Sequence, residues 1–237
     1  VEATFLVRRE ERLLDPGRPV DLTVLAHRQP GAVALWIQGE RAYRTMRFGR
    51  ALDLYKRAIG LDSSLVVAAV KGAQAASWEN RMAEAGALAA LAVARDSLLP
   101  RRYGYFARGI AAYVAGQADT ALAWLERAVR EAPDWSEAHT ARGEVAYHLL
   151  PSATSPESLA QAEFETAARL DPDFRPPALH LAEIALRRGD LRRADRYIGR
   201  LRQSQADSLL LRQLALERAC VRGEMDAFIA RYTGAGV

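Results

Sequence analysis

Cysteine and lysine are almost missing from this chain of 237 residues. The single thiol, Cys220, excludes an intrachain disulfide, so stability has to come from a buried apolar core. Half of the residues are hydrophobic, which is enough for such a core. The 33 basic residues, of which only Lys56 and Lys71 are lysines, are nearly balanced by 29 acidic ones. A net charge of +4 spread over the chain therefore predicts no specific binding of nucleic acid.

Long apolar runs are also missing. No segment approaches the roughly 18 apolar residues of a membrane-spanning helix, and residues 1–7 lack the features of a signal peptide. We therefore expect no membrane insertion and a cytoplasmic location, with a place outside the cytoplasm after an upstream membrane segment left open. Because the first residue is Val1 rather than methionine, we expect a fragment of a longer protein or a processed form.

The motifs of catalysis and cofactor binding do not occur. The sequence has neither a glycine-rich phosphate loop before Lys-Ser or Lys-Thr nor a Gly-x-Ser-x-Gly elbow. Glu144 and His148 share one helix face, but a zinc site needs three or four ligands, and no third residue has a fixed spacing. We therefore predict no catalytic residue, no metal, no cofactor and no enzyme activity. Cys220 lies in an apolar helix and is predicted to be a core residue.

A repeat dominates the sequence. A small residue at position i is followed by a larger or apolar residue at i+4 and by a small or apolar residue at i+7. This spacing marks one face of a helix, and successive copies start 34, 36, 39 and 34 residues apart. The copies are Ala51-Tyr55-Ala58, Ala85-Ala89-Ala92, Ala121-Leu125-Ala128, Ala160-Phe164-Ala167 and Ala194-Ile198-Leu201.

A second predicted helix precedes each copy and carries a small residue in its middle. A glycine inside a helix costs roughly 1 kcal/mol relative to alanine, so these positions predict a close approach of two helices. Turn residues such as Asn80, Gly116 and Gly189 separate the two helices. The small residues are Gly39, Ala73, Gly109, Gly143 and Ala182.

These residues resemble the tetratricopeptide repeat, which has small residues at fixed places in both helices and proline at the exit, as at Pro133 and Pro172. The resemblance implies an all-α, right-handed superhelical solenoid of antiparallel helix pairs. The predicted repeats are 32–65, 66–99, 102–135, 136–174 and 175–208, followed by a degenerate capping pair at 209–237. Residues 1–31 are predicted to be a linker or the edge of a missing domain, or else a segment that packs on the first repeat or in its groove.

A weaker resemblance concerns residues 34–44, Trp78 and residues 174–187. These segments look like the repeat regions C-terminal to bacterial serine/threonine kinase or transcriptional-regulator domains. The resemblance implies a regulatory, signalling module of a larger bacterial protein.

The family's concave groove, where partners bind, maps onto the first helix of each pair. The resemblance implies a groove rich in aromatic residues and mildly acidic, which binds a protein or peptide. An alternative is that these rings are already covered by neighbouring helices or by residues 1–31. The predicted groove residues are Trp36, Glu40, Tyr43, Arg44, Gln74, Trp78, Tyr103, Phe106, Tyr113, Glu144, Tyr147, His148, Glu183 and Arg187.

Three functions compete for such a solenoid. The first is a scaffold for protein or peptide binding, in which aromatic residues anchor the partner. The second is a sensory domain that binds a small apolar effector for a linked kinase or DNA-binding domain. Reading of RNA is disfavoured because it needs polar base-reading side chains in each repeat, whereas most inward positions are apolar. The oligomeric state is left open.

Overall fold

The computed structural model describes residues 22–150, 156–203 and 208–233, which are mostly helical and contain no strand. The all-α prediction is confirmed. A helical turn at Leu22–Leu25 precedes twelve longer helices, and a 3-10 turn at Asp96–Leu98 interrupts them. The helices are α1 (Pro30–Arg44), α2 (Phe48–Leu61), α3 (Val66–Trp78), α4 (Met82–Ala94), α5 (Arg101–Val114), α6 (Ala118–Glu131), α7 (Ser136–His148), α8 (Pro156–Leu170), α9 (Pro176–Arg187), α10 (Leu191–Gln203), α11 (Ser208–Arg222) and α12 (Met225–Thr233).

The helices pack in sequential pairs, from α1 with α2 to α11 with α12, and each pair packs on the next. This stacking is the predicted helical solenoid. Proline begins α1, α8 and α9. The first N–H groups of a helix make no hydrogen bond within the helix, so the N–H that proline lacks is not needed there, and its fixed φ favours the first turn. None of the helices in the described ranges is both long enough and apolar enough to cross a bilayer.

The small residues of the repeat lie where two helices of a pair cross. Ala121, Leu125 and Ala128 of α6 have no exposed surface. Leu125 sits directly over Gly109 of α5, where an added Cβ would lie 2.6 Å from the Leu125 Cγ atom. The same arrangement recurs at Gly39 beneath Tyr55 and at Gly143 beneath Phe164. The mid-helix glycines are therefore explained by close helix contact, as the sequence predicts.

In five of the six pairs the turn between the helices contains a residue in the left-handed region. The φ angle is 56° at Asn80, 73° at Gly116 and 69° at Gly189 and Gly223. The first pair uses Met46, with φ 63°, which the sequence analysis did not identify. A residue other than glycine pays roughly 1–2 kcal/mol for this conformation, and Met46 offsets that cost by burying its side chain.

The solenoid curves until its first pair contacts the start of its fifth. Arg44, at the end of α1, donates two hydrogen bonds to the Asp171 carboxylate. Nη1 donates to Oδ2 over 2.6 Å, and Nη2 donates to Oδ1 over 2.9 Å. The backbone N–H of Arg175 donates to the Arg44 carbonyl over 3.1 Å, and the rings of Tyr43 and Phe174 stack with centroids 6.1 Å apart. Repeats of an open solenoid touch only their neighbours, so these contacts close one end of the concave face.

The described part of the N-terminal segment packs on the first pair. Val24 and Leu25 are buried in the same core as α1 and α2. Arg28 donates to the Ser64 hydroxyl over 2.5 Å, and the Gln29 backbone N–H donates to Asp62 over 2.9 Å. Residues 24–29 therefore cover the outer end of the first pair rather than the groove. Residues 1–21, the larger part of the predicted segment, lie outside the described ranges.

The last described pair, α11 with α12, exposes several apolar side chains. Leu209, Val221 and Ile229 are exposed there, and Cys220 is exposed as well, with its Sγ 3.2 Å from the Met225 Sδ. The prediction that Cys220 is a core residue was wrong. Its helix is apolar enough to suggest burial, but the thiol lies on an exposed face of the helix.

We expect Gly143→Ala to destabilise the protein. The added Cβ would lie 2.5 Å from the Phe164 Cε1 atom in a ring with no exposed surface. Overpacking of this kind destabilises a core by about 1–3 kcal/mol. This exceeds the roughly 1 kcal/mol by which alanine is more favourable than glycine inside a helix. The free energy of unfolding in urea measures the difference.

Gly60→Ala on α2 is the matched control, because nothing lies within 4 Å of a Cβ added there. The control should leave stability unchanged or raise it by up to about 1 kcal/mol. Two alanines that stabilise equally would contradict the close packing of α7 against α8.

Candidate functional site

Several predicted groove rings are buried in the core. Trp36, Tyr43 and Phe106 are 4%, 1% and 0% exposed, so a partner cannot reach them in this conformation. The open-groove assignment therefore does not hold for these three rings, of which only Tyr43 also borders the cavity described below. The cause is the closure of the superhelix, which places Tyr43 against Phe174, together with the tight stack that places Phe106 against Trp135, with centroids 4.7 Å apart.

Buried charges fill the closed half of the concave face. The Lys71 ammonium lies 2.8 Å from Glu137 and 3.6 Å from Glu40, and it sits 4.2 Å from the centre of the Tyr43 ring. Tyr55 donates to the Glu40 carboxylate over 2.6 Å. Burial raises the pKa of Glu40 to about 7, although Lys71 opposes the shift. Glu40 and Arg44, both predicted groove residues, are therefore engaged inside the protein.

The open half of the concave face holds a cavity of about 430 Å³. Its walls come from the later turns of α3 and α5, the facing side of α7 and α9, and the start of α11. Trp78 and Tyr113 contribute partly exposed rings. Ten of the lining residues are Gln74, Ser77, Trp78, Asn80, Met82, Tyr113, Glu144, His148, His180 and Glu183.

A cluster of two histidines and two glutamates forms one wall of this cavity. His180 is 3% exposed, and its Nδ1 lies 2.8 Å from a Glu183 carboxylate oxygen. Its Nε2 lies 2.9 Å from Glu144 Oε1, and His148 Nε2 lies 3.3 Å from Glu144 Oε2. Burial disfavours the charged forms, but the facing charges outweigh it. They raise the pKa of His180 to about 10 and lower the pKa of Glu144 to about 2.

Aromatic rings hold His180 from several sides. The Trp78 and Phe164 rings stack against it with centroids 5.3 and 4.9 Å away, and Tyr147 packs at 4.5 Å. Tyr147 also donates to Glu183 over 2.8 Å and accepts from Arg187 over 2.6 Å. The predicted residues Tyr147, Glu183 and Arg187 thus form a hydrogen-bonded chain behind the cavity.

Seven of the fourteen predicted residues line the cavity, and the other seven do not. The seven that line it are Tyr43, Gln74, Trp78, Tyr113, Glu144, His148 and Glu183. Tyr103 belongs instead to the core around Trp135, with centroids 4.9 Å apart.

His180 is the most important cavity residue that the sequence pattern did not indicate. It lies three positions before Glu183, so it shares a helix face with a predicted groove residue, and that spacing is a usable signal. Asn80, in the turn after α3, and Met82, the first residue of α4, lie outside the helices that the family's groove positions cover.

Comparison with known proteins gives similarity of fold only. No protein-family model and no curated protein matches the sequence. Among solved structures, YrrB, described as a tetratricopeptide protein with an unusual peptide-binding site, is 18% identical over 77% of this chain and 90% of its own, with a TM-score of 0.40. The Pseudomonas aeruginosa protein PilF is 19% identical over 85% of this chain and 91% of its own (TM-score 0.49), and a MamA double mutant is 17% identical over 74% and 94% (TM-score 0.40).

We expect the buried charge of Glu40 to make stability depend on pH. Because its folded pKa is raised from 4.5 to about 7, the folded protein holds a proton that the unfolded chain releases. The stability from this group is complete below about pH 4.5 and is lost as the pH rises through 7. In Glu40→Gln the loss is absent, so the variant should gain stability relative to wild type between pH 4.5 and 8, on the order of 1–3 kcal/mol.

Urea unfolding of both proteins across this pH range measures the effect. Glu126→Gln, which removes a carboxyl from an exposed position on α6, is the control and should track wild type. A constant difference between Glu40→Gln and wild type would contradict the raised pKa.

Proposed function

We propose that the protein is a scaffold that binds a segment of a partner protein, and that the cavity receives an apolar or aromatic anchor side chain. The observation that carries the proposal is the position of the cavity. It opens on the concave face, where Trp78 and Tyr113 present partly exposed rings beside polar side chains. Aromatic residues around a pocket are the usual source of binding energy in interfaces.

The amide of Gln74 supports binding of a peptide backbone. Gln74 is 8% exposed, lines the cavity, and its side-chain oxygen has no hydrogen-bond partner among the described residues. A buried acceptor without a partner costs roughly 1–3 kcal/mol. A backbone N–H of a bound segment would remove that cost, and it would fix the segment beside the two rings.

Closure of the superhelix limits how much of a partner can enter. The Arg44–Asp171 ion pair and the Lys71 cluster occupy the closed half of the concave face, so a long peptide cannot run along the whole groove as in an open solenoid. The proposal is therefore one anchored side chain with its flanking residues at the mouth of the cavity. The proposed regulatory role within a larger bacterial protein rests on the sequence resemblance alone.

The second candidate is the binding of a small apolar effector. The cavity of about 430 Å³ lies within the usual size range of small-molecule pockets, roughly 300–1,000 Å³. In this case the ligand fills the cavity without needing flanking contacts outside it.

Selection from a displayed library of random peptides tests the main proposal. We expect the selected peptides to share an aromatic or large aliphatic residue, and Tyr113→Ala to lower their affinity at least about tenfold, because interfacial anchors often contribute 2 kcal/mol or more. Tyr105→Ala is the matched control. Its ring lies on the same helix but packs against Trp124 on α6, with centroids 5.9 Å apart.

Equal loss of affinity in both variants, or no enrichment of anchored peptides, would contradict the peptide proposal. Saturable binding of a small apolar compound that quenches Trp78 fluorescence, with no peptide selected, would favour the effector alternative. Thermal unfolding of each variant checks that the fold is intact.

A further inference from the structure

Three side chains in the wall of the cavity bring metal-ligand atoms together. Glu144 and His148 lie one turn apart on α7, and His180 lies on α9. One ligand atom from each of the three lies within 4.8 Å of the other two. Spacing of four residues on α7 places two ligands side by side, and α9, the first helix of the next pair, supplies the third. This is the third ligand that the sequence spacing did not reveal.

The two closest of these atoms do not satisfy each other. His180 Nε2 and Glu144 Oε1 are 2.9 Å apart, yet both are buried and neither has a hydrogen bond of acceptable geometry within the described residues. The N–H direction of an imidazolium donor would have to point at the carboxylate oxygen. Ligands of a metal instead direct their lone pairs at a common point between them, which is compatible with this geometry.

The other nitrogen of His180 is held in the way that metal-binding histidines are held. Its Nδ1 lies 2.8 Å from the Glu183 carboxylate, and such a carboxylate fixes the tautomer and ring orientation of a ligand histidine. Trp78, Phe164 and Tyr147 pack around the ring. His180 is therefore oriented before any ion binds.

We propose that Glu144, His148 and His180 bind a divalent transition-metal ion, and that Zn²⁺ is the ion that fits best. Two imidazole nitrogens and one carboxylate are a ligand set that zinc accepts, with the fourth position of its tetrahedron left for an exogenous ligand. All three residues line the cavity, through which an exogenous ligand can approach the ion. The site is independent of the peptide proposal, because it needs only residues of this chain.

The ligand types disfavour Ca²⁺ and Mg²⁺, which take oxygen ligands, whereas imidazole suits zinc and its neighbours in the first transition row. The charges also favour a cation. The Glu144 and Glu183 carboxylates both face the His180 ring, so a metal ion on Nε2 occupies a position where a positive charge is already stabilised by two negative ones. His148 is the exposed member and leaves a path for the ion to enter.

Isothermal titration of the full, untagged chain with ZnCl₂, after dialysis against a chelator, tests the site. We expect one ion per chain, no binding of CaCl₂ or MgCl₂, and loss of at least about tenfold in affinity for His148→Ala and for Glu183→Gln, the residue that positions His180. His148→Ala changes an exposed side chain, so its fold should survive, and circular dichroism checks that it does. Replacement of zinc by Co²⁺ should give the visible absorption of a four-coordinate site.

His27→Asn is the matched control, because His27 is an exposed histidine far along the chain from the cluster and asparagine tolerates its φ of 60°. This variant should bind zinc like wild type. Zinc binding that is weak, or equal in His148→Ala and wild type, would overturn the proposal and leave the cluster as an imidazolium held between two carboxylates. Equal affinity in Glu183→Gln would overturn the positioning role.

Discussion

The ion pair between Arg44 and Asp171 joins residues 127 positions apart and is almost completely buried. Burying two charges is favourable only when their geometry is excellent and their remaining hydrogen-bonding capacity is used. Both conditions hold, because the guanidinium binds both carboxylate oxygens and Asp171 Oδ1 also accepts from the backbone N–H groups of Asp173 and Phe174. The contact fixes the curvature of the first four pairs, since seven helices, α2 to α8, separate its partners along the chain.

That curvature decides what the concave face can do. The face that binds partners in an open solenoid becomes the interior near Lys71, where Glu40, Glu137 and the Tyr43 ring surround the ammonium. The remaining cavity has a volume of about 430 Å³, and its walls carry both aromatic rings and the His180 cluster. Closure therefore leaves a short pocket in place of a long groove, which is the basis of our proposal that the protein binds one anchor side chain.

The local structure could be predicted from the sequence because it depends on short-range patterns. Gly109 under Leu125 is readable from spacing, since only a residue without a side chain permits that approach. Closure could not be predicted, because it depends on small rotations summed over four pairs. For this reason Tyr43 was assigned to an open groove, although its ring lies against Phe174. The cavity was found only in part for the same reason: His180 faces Trp78 only once α9 has been carried around to α3.

A double-mutant cycle on Arg44 and Asp171 tests the closed superhelix most directly. The free energy of unfolding is measured for wild type, Arg44→Ala, Asp171→Ala and the double variant. Closure predicts that each single change costs about 3–5 kcal/mol, because it leaves a buried charge without its partner. The double change should then cost much less than the sum, with a coupling energy of at least about 1 kcal/mol. Additivity within about 0.5 kcal/mol, as expected of residues that do not touch, would contradict the account and indicate an open solenoid.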